Sequence, residues 1–123
     1  MKVTCGTDII EIERIKKAIE RGGERFLNTV FTENEIKYCE ERKVQRYQHY
    51  AARFAAKEAA FKAVSKEIDD SYWKMFEVIK DEKGRPEIKI CCDIQNLESI
   101  DLSLSHCKDY AIANVVAVFK EEK

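Results

Sequence analysis

The chain has 123 residues, a length that predicts a single domain over residues 1–123, and its 45% hydrophobic and 37% charged residues form an ordinary globular mixture. A formal net charge of −1 argues against attraction to nucleic acid or to a membrane surface by bulk charge. The apolar runs are much shorter than the roughly 20 residues of a membrane span, and the N-terminal residues show no signal-peptide pattern.

The first residues predict a strand followed by a helix. Residues 2–8 alternate weakly and indicate a strand. Isoleucines then recur at helical spacing, which predicts an amphipathic helix over about 11–21 that ends at Gly22 and Gly23. Asp8 is therefore expected where the strand passes into the helix, a common location for site residues.

Two further helices are predicted before the middle of the chain. Thr32 and Glu35 have the spacing of a capping box, which predicts a helix over about 33–42. A longer helix is predicted over about 43–65, because this stretch contains no Gly or Pro. One face of it carries an apolar stripe that includes a carboxylate, with its aromatic members expected in the core or at a subunit interface: Tyr47, Ala51, Phe54, Glu58 and Phe61.

The second half of the chain changes to strand periodicity. Antiparallel strands are predicted over 73–79, 87–91, 100–106 and 110–119. Residues 81–86, which contain Gly84 and Pro86, predict a hairpin connection between the first two of these strands. A strand, then helices, then an antiparallel meander indicates an α+β fold, with the N-terminal strand and the helices packed on an antiparallel sheet.

The cysteines indicate a reducing compartment. All five lack a C-x-x-C partner and their number is odd. Reduced thiols in a cytoplasmic protein are the simplest interpretation, and a zinc site is not expected.

Two carboxylates stand among apolar residues, and each has a structural alternative to a functional role. Burying a lone ionised carboxylate is costly, so Asp8 and Glu58 could together hold Mg²⁺, with phosphates and water completing its shell. Asp8 could instead cap a helix, and Glu58 could form a plain i,i+4 pair with Lys62. His106 ends a predicted strand and by itself indicates a hydrogen-bonded residue, while His49 is expected at the surface.

Five ordered blocks resemble the holo-acyl-carrier-protein synthases, the short, single-module type of 4′-phosphopantetheinyl transferase. The blocks are Gly6-x-Asp8-Ile9-x-x-Ile12-x-Arg14-Ile15, Phe31-Thr32-x-x-Glu35, Arg53-Phe54-Ala55-Ala56-Lys57-Glu58-Ala59-x-x-Lys62-Ala63, Gly84-x-Pro86 and Ser103-Leu104-Ser105-His106. The resemblance implies that the enzyme transfers the phosphopantetheine arm of coenzyme A to a serine of apo acyl carrier protein. It further implies release of adenosine 3′,5′-bisphosphate, a Mg²⁺ requirement, a role in fatty acid biosynthesis, and a homotrimer with the site at the subunit boundary.

The same resemblance assigns roles to individual residues. It implies that Asp8 and Glu58 hold Mg²⁺ and that Lys62 adds positive charge near the phosphates. Either Glu58 or a water molecule is preferred to His106 as the base that takes the serine proton. Many relatives have glycines after the long helix, and this chain has none there, so side chains are expected to replace backbone amides as phosphate contacts. The expected contacts to coenzyme A are Arg53, Lys62, Ser65, Lys66 and His106.

The first predicted helix also carries a basic stripe. Arg14, Lys17 and Arg21 lie at i, i+3 and i+7, and Arg25 follows. Carrier proteins of this family are acidic, so these four residues are expected to dock the protein substrate, with a solvated helix face as the alternative. The competing function is a non-catalytic module that binds coenzyme A or a carrier protein. A nucleic-acid-binding function ranks far below both.

Overall fold

The structure is a computed structural model that describes residues 1–64 and 73–121. It confirms the α+β class. None of the helices among these residues is long and apolar enough to span a membrane. The elements are β1 (Lys2–Glu11), α1 (Ile12–Val30), α2 (Glu33–Glu40), α3 (Arg46–Ala63), β2 (Phe76–Lys80), β3 (Pro86–Ile90), β4 (Leu97–His106) and β5 (Tyr110–Phe119), with 3₁₀ turns at Lys43–Gln45 and Trp73–Met75.

The described strands form two antiparallel sheets rather than one meander. One sheet has the order β1-β5-β4, and the other is the predicted hairpin of β2 and β3. The first strand of the chain therefore pairs with the last, and Asp8 lies opposite Ala113. On the other side of β5, Ala113 lies opposite Leu104, so β4 ends with His106 at the same end of the sheet as Ile10 and Ala111.

The first helical segment ends at Gly23 as predicted, but a second segment that the sequence did not predict follows it. Gly23 does leave the helical region, with φ of 55°, but helix resumes after this kink and continues to Val30. Phe26 and Leu27 pack against the core and Val30 is buried. Burial of this apolar group stabilises the second segment of α1, which begins after the break at Gly23.

Strand β1 continues further than predicted and carries Asp8 within it. Its pairing with β5 runs to Glu11, which lies opposite Tyr110. Glu11, not Asp8, is the N-cap residue of α1, and its side chain makes no capping hydrogen bond. The alternative role of Asp8 as a helix cap is therefore wrong. By contrast, the capping box of α2 is confirmed, with both hydrogen bonds between Thr32 and Glu35 present.

Helix α3 is buried over more than the single predicted stripe. Its alanines lie in the centre of the molecule because α3 packs against β1, β5, α1, α2 and β2. Phe61 belongs to the core, while Phe54 is partly buried and stacks on Trp73 with ring centroids 4.9 Å apart. The buried alanines of α3 are Ala51, Ala52, Ala55, Ala56, Ala59, Ala60 and Ala63.

Candidate active site

Strand β1 and helix α3 approach each other closely at a glycine. A Cβ atom added to Gly6 would lie 2.0 Å from the carbonyl oxygen of Ala59 and 2.9 Å from the Cβ of Lys62. Any side chain at position 6 would therefore push the strand away from the helix. Because Gly6 permits this approach, Asp8, two residues further along β1, reaches the same side of α3 as Glu58 and Lys62.

The three residues predicted for catalysis and metal binding lie together. Lys62 donates a 2.9 Å hydrogen bond to the carbonyl oxygen of Thr7, and its Nζ lies 3.5 Å from Oδ1 of Asp8. The Asp8 side chain is 12% exposed and that of Lys62 is 54% exposed. The other carboxylate oxygen of Asp8, Oδ2, is buried and has no hydrogen-bond partner in the described residues. When Glu58 is ionised and has no proton to donate, the site thus contains a desolvated oxygen that needs a ligand.

The two carboxyl groups perturb each other. Burial, together with a hydrogen bond that protonated Glu58 donates to Asp8 and the negative charge of Asp8, raises the pKa of Glu58 from 4.5 to about 7, and the charges of Lys62 and Arg14 act in the opposite direction. Two neighbouring carboxylates cannot both ionise cheaply without a cation. The plain i,i+4 pair predicted as an alternative for Glu58 does not account for this arrangement, because Lys62 contacts Asp8.

These residues fit a divalent cation with oxygen ligands. The unpaired Oδ2 of Asp8 and the neighbouring carboxyl of Glu58 are the donors that Mg²⁺ prefers. Within residues 1–64 and 73–121 no group of three or more His, Cys, Asp or Glu side chains could hold a metal by itself. A cation held by two carboxylates keeps most of its coordination positions for water and substrate phosphates, as Mg²⁺ commonly does.

A second group of charged and aromatic side chains surrounds Tyr38, and sequence reasoning found only part of it. The guanidinium carbons of Arg42 and Arg53 lie 3.8 Å and 4.1 Å from the ring centroid of Tyr38, and Nζ of Lys80 lies 5.1 Å from it. His49 packs edge-on against Tyr38 and against His106. We call this group the Tyr38 cluster; it comprises Tyr38, Arg42, His49, Arg53, Lys80 and His106.

The Tyr38 cluster carries excess positive charge. Arg53 is 2% exposed, its Nε has no hydrogen-bond partner in the described residues, and its NH1 donates to the carbonyl of His49. Burial would raise the pKa of Tyr38, but hydrogen bonds and charges from Lys80 and Arg42 outweigh it and lower that pKa. Concentrated cations with an unused buried donor favour an anionic ligand.

His49 is not the plain surface residue that the sequence predicted. It is partly buried, and burial followed by the charges of Arg53, Arg42 and Lys80 lowers its pKa to about 4. His49 is therefore neutral at pH 7. The missed signal was the i,i+4 spacing of Tyr38 with Arg42 on one side and of His49 with Arg53 on the other. Only the fold brings the two pairs together, with Lys80 from a third segment.

The remaining predicted site residues differ in what the structure says about them. Arg14, Lys17, Arg21 and Arg25 are all exposed along α1, although the kink at Gly23 separates Arg25 from the other three. Arg14 lies near enough to Glu58 for its charge to affect that carboxyl. The two predicted loop contacts lie outside the described residues: Ser65 and Lys66.

Among the described residues, most of the exposed large apolar side chains lie on the sheet; the others are Met1 and Val44, which lies on the first 3₁₀ turn. The sequence predicted that the aromatic residues of α3 lie in the core or at a subunit interface; the alanines of α3 are buried within this chain. The outer face of β1 and β5 instead exposes large apolar side chains, because the inner face alone contacts α3. These residues are Val3, Ile9, Tyr110, Ile112 and Val116.

Comparisons with known proteins agree with the motifs. Residues 4–115 match the model of the 4′-phosphopantetheinyl transferase superfamily. The holo-[acyl-carrier-protein] synthase of Ruminiclostridium cellulolyticum is 47% identical, over 94% of this chain and 92% of that relative. The crystal structure of a Bacillus anthracis holo-(acyl-carrier-protein) synthase in complex with coenzyme A (3′,5′-ADP) is 34% identical, with a TM-score of 0.79 over 93% of this chain and 94% of that one.

A second solved structure agrees over a larger part of the fold. It is a coenzyme A complex of the enzyme from Chronobacterium ammoniagenes, 28% identical, with a TM-score of 0.84 over 98% of this chain and 100% of that one. Sequence motifs, family match and fold all lead to the same assignment: the chain belongs to the 4′-phosphopantetheinyl transferase superfamily, among the holo-acyl-carrier-protein synthases.

Proposed function

We propose that this protein is a Mg²⁺-dependent holo-acyl-carrier-protein synthase, which transfers the 4′-phosphopantetheine of coenzyme A to a serine of apo acyl carrier protein. The observation that carries the proposal is the pair of carboxyl groups on β1 and α3. Oδ2 of Asp8 is buried without a partner, and Glu58 beside it has a pKa raised to about 7. When bound there, Mg²⁺ would neutralise charge on the pyrophosphate of coenzyme A.

The side chains around this pair supply the remaining positive charge. Lys62 is half exposed and lies beside Asp8, so its ammonium can contact the same phosphates. The Tyr38 cluster offers Arg42, Arg53 and Lys80 to another phosphate of coenzyme A, with His106 at its margin.

The reaction needs positioning and charge neutralisation rather than a covalent enzyme intermediate. The carrier serine oxygen attacks the β-phosphorus of coenzyme A, and the bond to the bridging oxygen of adenosine 3′,5′-bisphosphate breaks. Glu58 or a water molecule beside it accepts the serine proton. Lys62 stabilises the negative charge that develops on the leaving phosphate.

The protein partners follow from two surfaces. The exposed basic residues of α1, which are Arg14, Lys17, Arg21 and Arg25, are proposed to dock the acidic carrier protein. The apolar outer face of β1 and β5 is proposed to close between subunits of a homotrimer, since large exposed apolar patches mark interaction sites. Light scattering at micromolar concentration should give the mass of a trimer, and a monomer would contradict this assembly.

The reaction and the cysteines suggest where the protein acts. Cys5, Cys91, Cys92 and Cys107 are exposed free thiols, and Cys39 is a buried one. Exposed thiols persist in reducing compartments. We place the enzyme, as a single domain acting in fatty acid biosynthesis, in the cytoplasm.

A mass measurement tests the proposed function directly. The protein is incubated with apo acyl carrier protein and coenzyme A, with Mg²⁺ or with EDTA, and the carrier is weighed by mass spectrometry. We expect the mass of one phosphopantetheine to be added only when Mg²⁺ is present. The matched control is a carrier whose acceptor serine is changed to alanine. No mass gain on the wild-type carrier at any Mg²⁺ concentration would refute the proposal.

A further inference from the structure

The residue before Glu58 is fully buried although it is a lysine. Nζ of Lys57 donates hydrogen bonds to the carbonyl oxygens of Trp73 and Phe76, at 3.0 Å and 2.7 Å, and lies 2.8 Å from Oε1 of Glu35. An ammonium group has three N–H donors, and all three are used here. No donor remains for a substrate phosphate, so Lys57 acts within the protein and not on a ligand.

Both carboxylate oxygens of its partner Glu35 also have hydrogen-bond partners within the protein. Oε1 of Glu35 also accepts from the amide of Thr32 at 2.9 Å, and Oε2 accepts from the amide of Val78 at 2.8 Å. The side chains of both Lys57 and Glu35 are 0% exposed. This pair therefore joins three elements through specific bonds: the first turn of α2, the middle of α3, and the segment that leads into β2.

The packing of α3 explains what such a pair can contribute. The helix meets its neighbours mainly through alanines, whose single methyl groups form shallow ridges and grooves. Shallow packing resists rotation and sliding of a helix less strongly than interlocking large side chains do. A buried ion pair often adds little net stability compared with an apolar pair, but it can fix one register of a helix.

We infer that Lys57 is a positioning residue for the active site: its bonds to Glu35, Trp73 and Phe76 fix the rotation of α3 that aims Glu58 and Lys62 at Asp8. Adjacent helical residues project about 100° apart, so Lys57 holds one side of α3 while Glu58 acts on another. A rotation of roughly 10° would displace a carboxylate about 6 Å from the helix axis by about 1 Å. Displacements of that size cost on the order of 100-fold in rate.

The inference rests on the proposed function, and two variants separate positioning from folding. Lys57→Met alone leaves the buried carboxylate of Glu35 without its cation, so this variant should lose stability. The double variant Lys57→Met/Glu35→Gln removes both charges and should recover much of the stability. If the double variant is not folded at 25 °C, Lys57→Gln, which can still donate to one acceptor, takes its place. The control is Leu102→Ala, a buried truncation on β4 that removes none of the hydrogen bonds of Lys57 or Glu35.

Three measurements are made on each folded variant: the urea midpoint, kcat and KM for transfer, and Mn²⁺ affinity by paramagnetic resonance in the presence of coenzyme A. For the double variant we expect kcat and Mn²⁺ affinity to fall about 10- to 100-fold, with KM for the carrier protein unchanged. Leu102→Ala should lose stability while its kcat and Mn²⁺ affinity stay within about twofold of wild type.

The outcomes distinguish the two levels of the proposal. If the double variant keeps wild-type kcat and Mn²⁺ affinity, or if Leu102→Ala loses them equally, positioning by Lys57 is refuted while the proposed function stands. If wild-type protein neither binds Mn²⁺ with coenzyme A nor modifies the carrier, the proposed function fails and the inference fails with it.

Discussion

Two acidic side chains from other elements face α3 on different sides, and they differ in how fully their carboxylate oxygens are hydrogen-bonded. The carboxylate of Glu35 pairs with Lys57 and accepts hydrogen bonds from two backbone amides, and its side chain is fully buried. Asp8, facing Glu58, keeps one buried oxygen without a partner in the described residues. A saturated buried carboxylate stabilises an architecture, whereas an unsatisfied one identifies a place for a ligand. We therefore expect substitutions of the Glu35–Lys57 pair to reduce stability, and to reduce activity only through the position of α3, whereas substitutions of Asp8 or Glu58 should reduce activity without a loss of stability.

The largest expected effect is a loss of activity when Asp8 or Glu58, the two proposed metal ligands, is substituted. Asp8→Ala or Glu58→Ala should lower the rate of carrier modification by about 1000-fold or more, because each removes one of only two carboxylates available to Mg²⁺. Thermal stability should be unchanged or higher, since each substitution removes a repulsion between carboxyl groups. Near-normal turnover by either variant at ordinary Mg²⁺ concentration would contradict the proposal that Asp8 and Glu58 hold the metal.

Substitution of Glu35, the fully hydrogen-bonded carboxylate, should instead reduce stability. Glu35→Ala leaves Lys57 as a buried cation without its counterion and frees two backbone amides, so we expect a loss of about 3–5 kcal/mol in unfolding free energy. Urea denaturation measures it. Glu33→Ala, which removes an exposed carboxylate from the same turn of α2, is the matched control and should change stability by less than about 1 kcal/mol. Equal losses in the two variants would contradict the buried pair's role.

A substitution at the contact between β1 and α3 should affect both properties. Gly6→Ala introduces a Cβ that would lie 2.0 Å from a backbone oxygen, so the strand must shift away from the helix. We expect a loss of about 1–3 kcal/mol in stability and a larger proportional loss of transfer activity, because Asp8 moves with the strand. The neighbouring variant Cys5→Ala, whose side chain is exposed, serves as control. Full activity in Gly6→Ala would show that the close approach is unnecessary.

Charge reversal on α1 tests the exposed basic surface that is proposed to dock the carrier protein, which is separate from both carboxylates compared above. Arg14→Glu/Arg21→Glu should raise KM for the carrier protein about tenfold and affect KM for coenzyme A less, and wild-type transfer should weaken as salt rises. The control Lys83→Glu/Lys89→Glu makes the same charge change at exposed positions around the β2–β3 hairpin. Carrier kinetics that respond to neither the reversal nor salt would locate the docking surface elsewhere.

The smallest expected effect concerns the protonation of Glu58. Burial is the largest cause of the raised pKa of Glu58, followed by the hydrogen bond that protonated Glu58 donates to Asp8 and by the charge of Asp8. In the metal-free protein, Asp8→Asn should therefore lower this pKa from about 7 part of the way towards 4.5. A folded-state pKa above the unfolded value means that wild type loses stability as pH rises from about 4.5 to 7. Asp8→Asn should lose less over this window. Carboxyl NMR titration and urea midpoints measure both, and an unchanged pKa would show that burial alone is responsible.

Much of this protein followed from local patterns. The capping box of α2, the hairpin at Gly84 and the run of β5 were predicted from short-range rules, because capping, turn and alternation signals depend on neighbouring residues. The blocks that carry Asp8, Glu58 and Lys62 indicated the family, and these residues lie together in the fold. Their roles in metal binding and transfer stay predictions.

What the tertiary structure decided depends on residues distant in sequence. Pairing with β5 extended β1 beyond Asp8, and core packing carried α1 past Gly23. The alanines of α3 form the centre of the chain, and most of the exposed large apolar side chains of the described residues lie on the sheet. The contact of Lys57 with Glu35 joins two helices, and no local spacing encodes it. By itself the sequence determined which chemical groups and local elements are present, while long-range packing decided which of those groups are satisfied and which are left to bind a ligand.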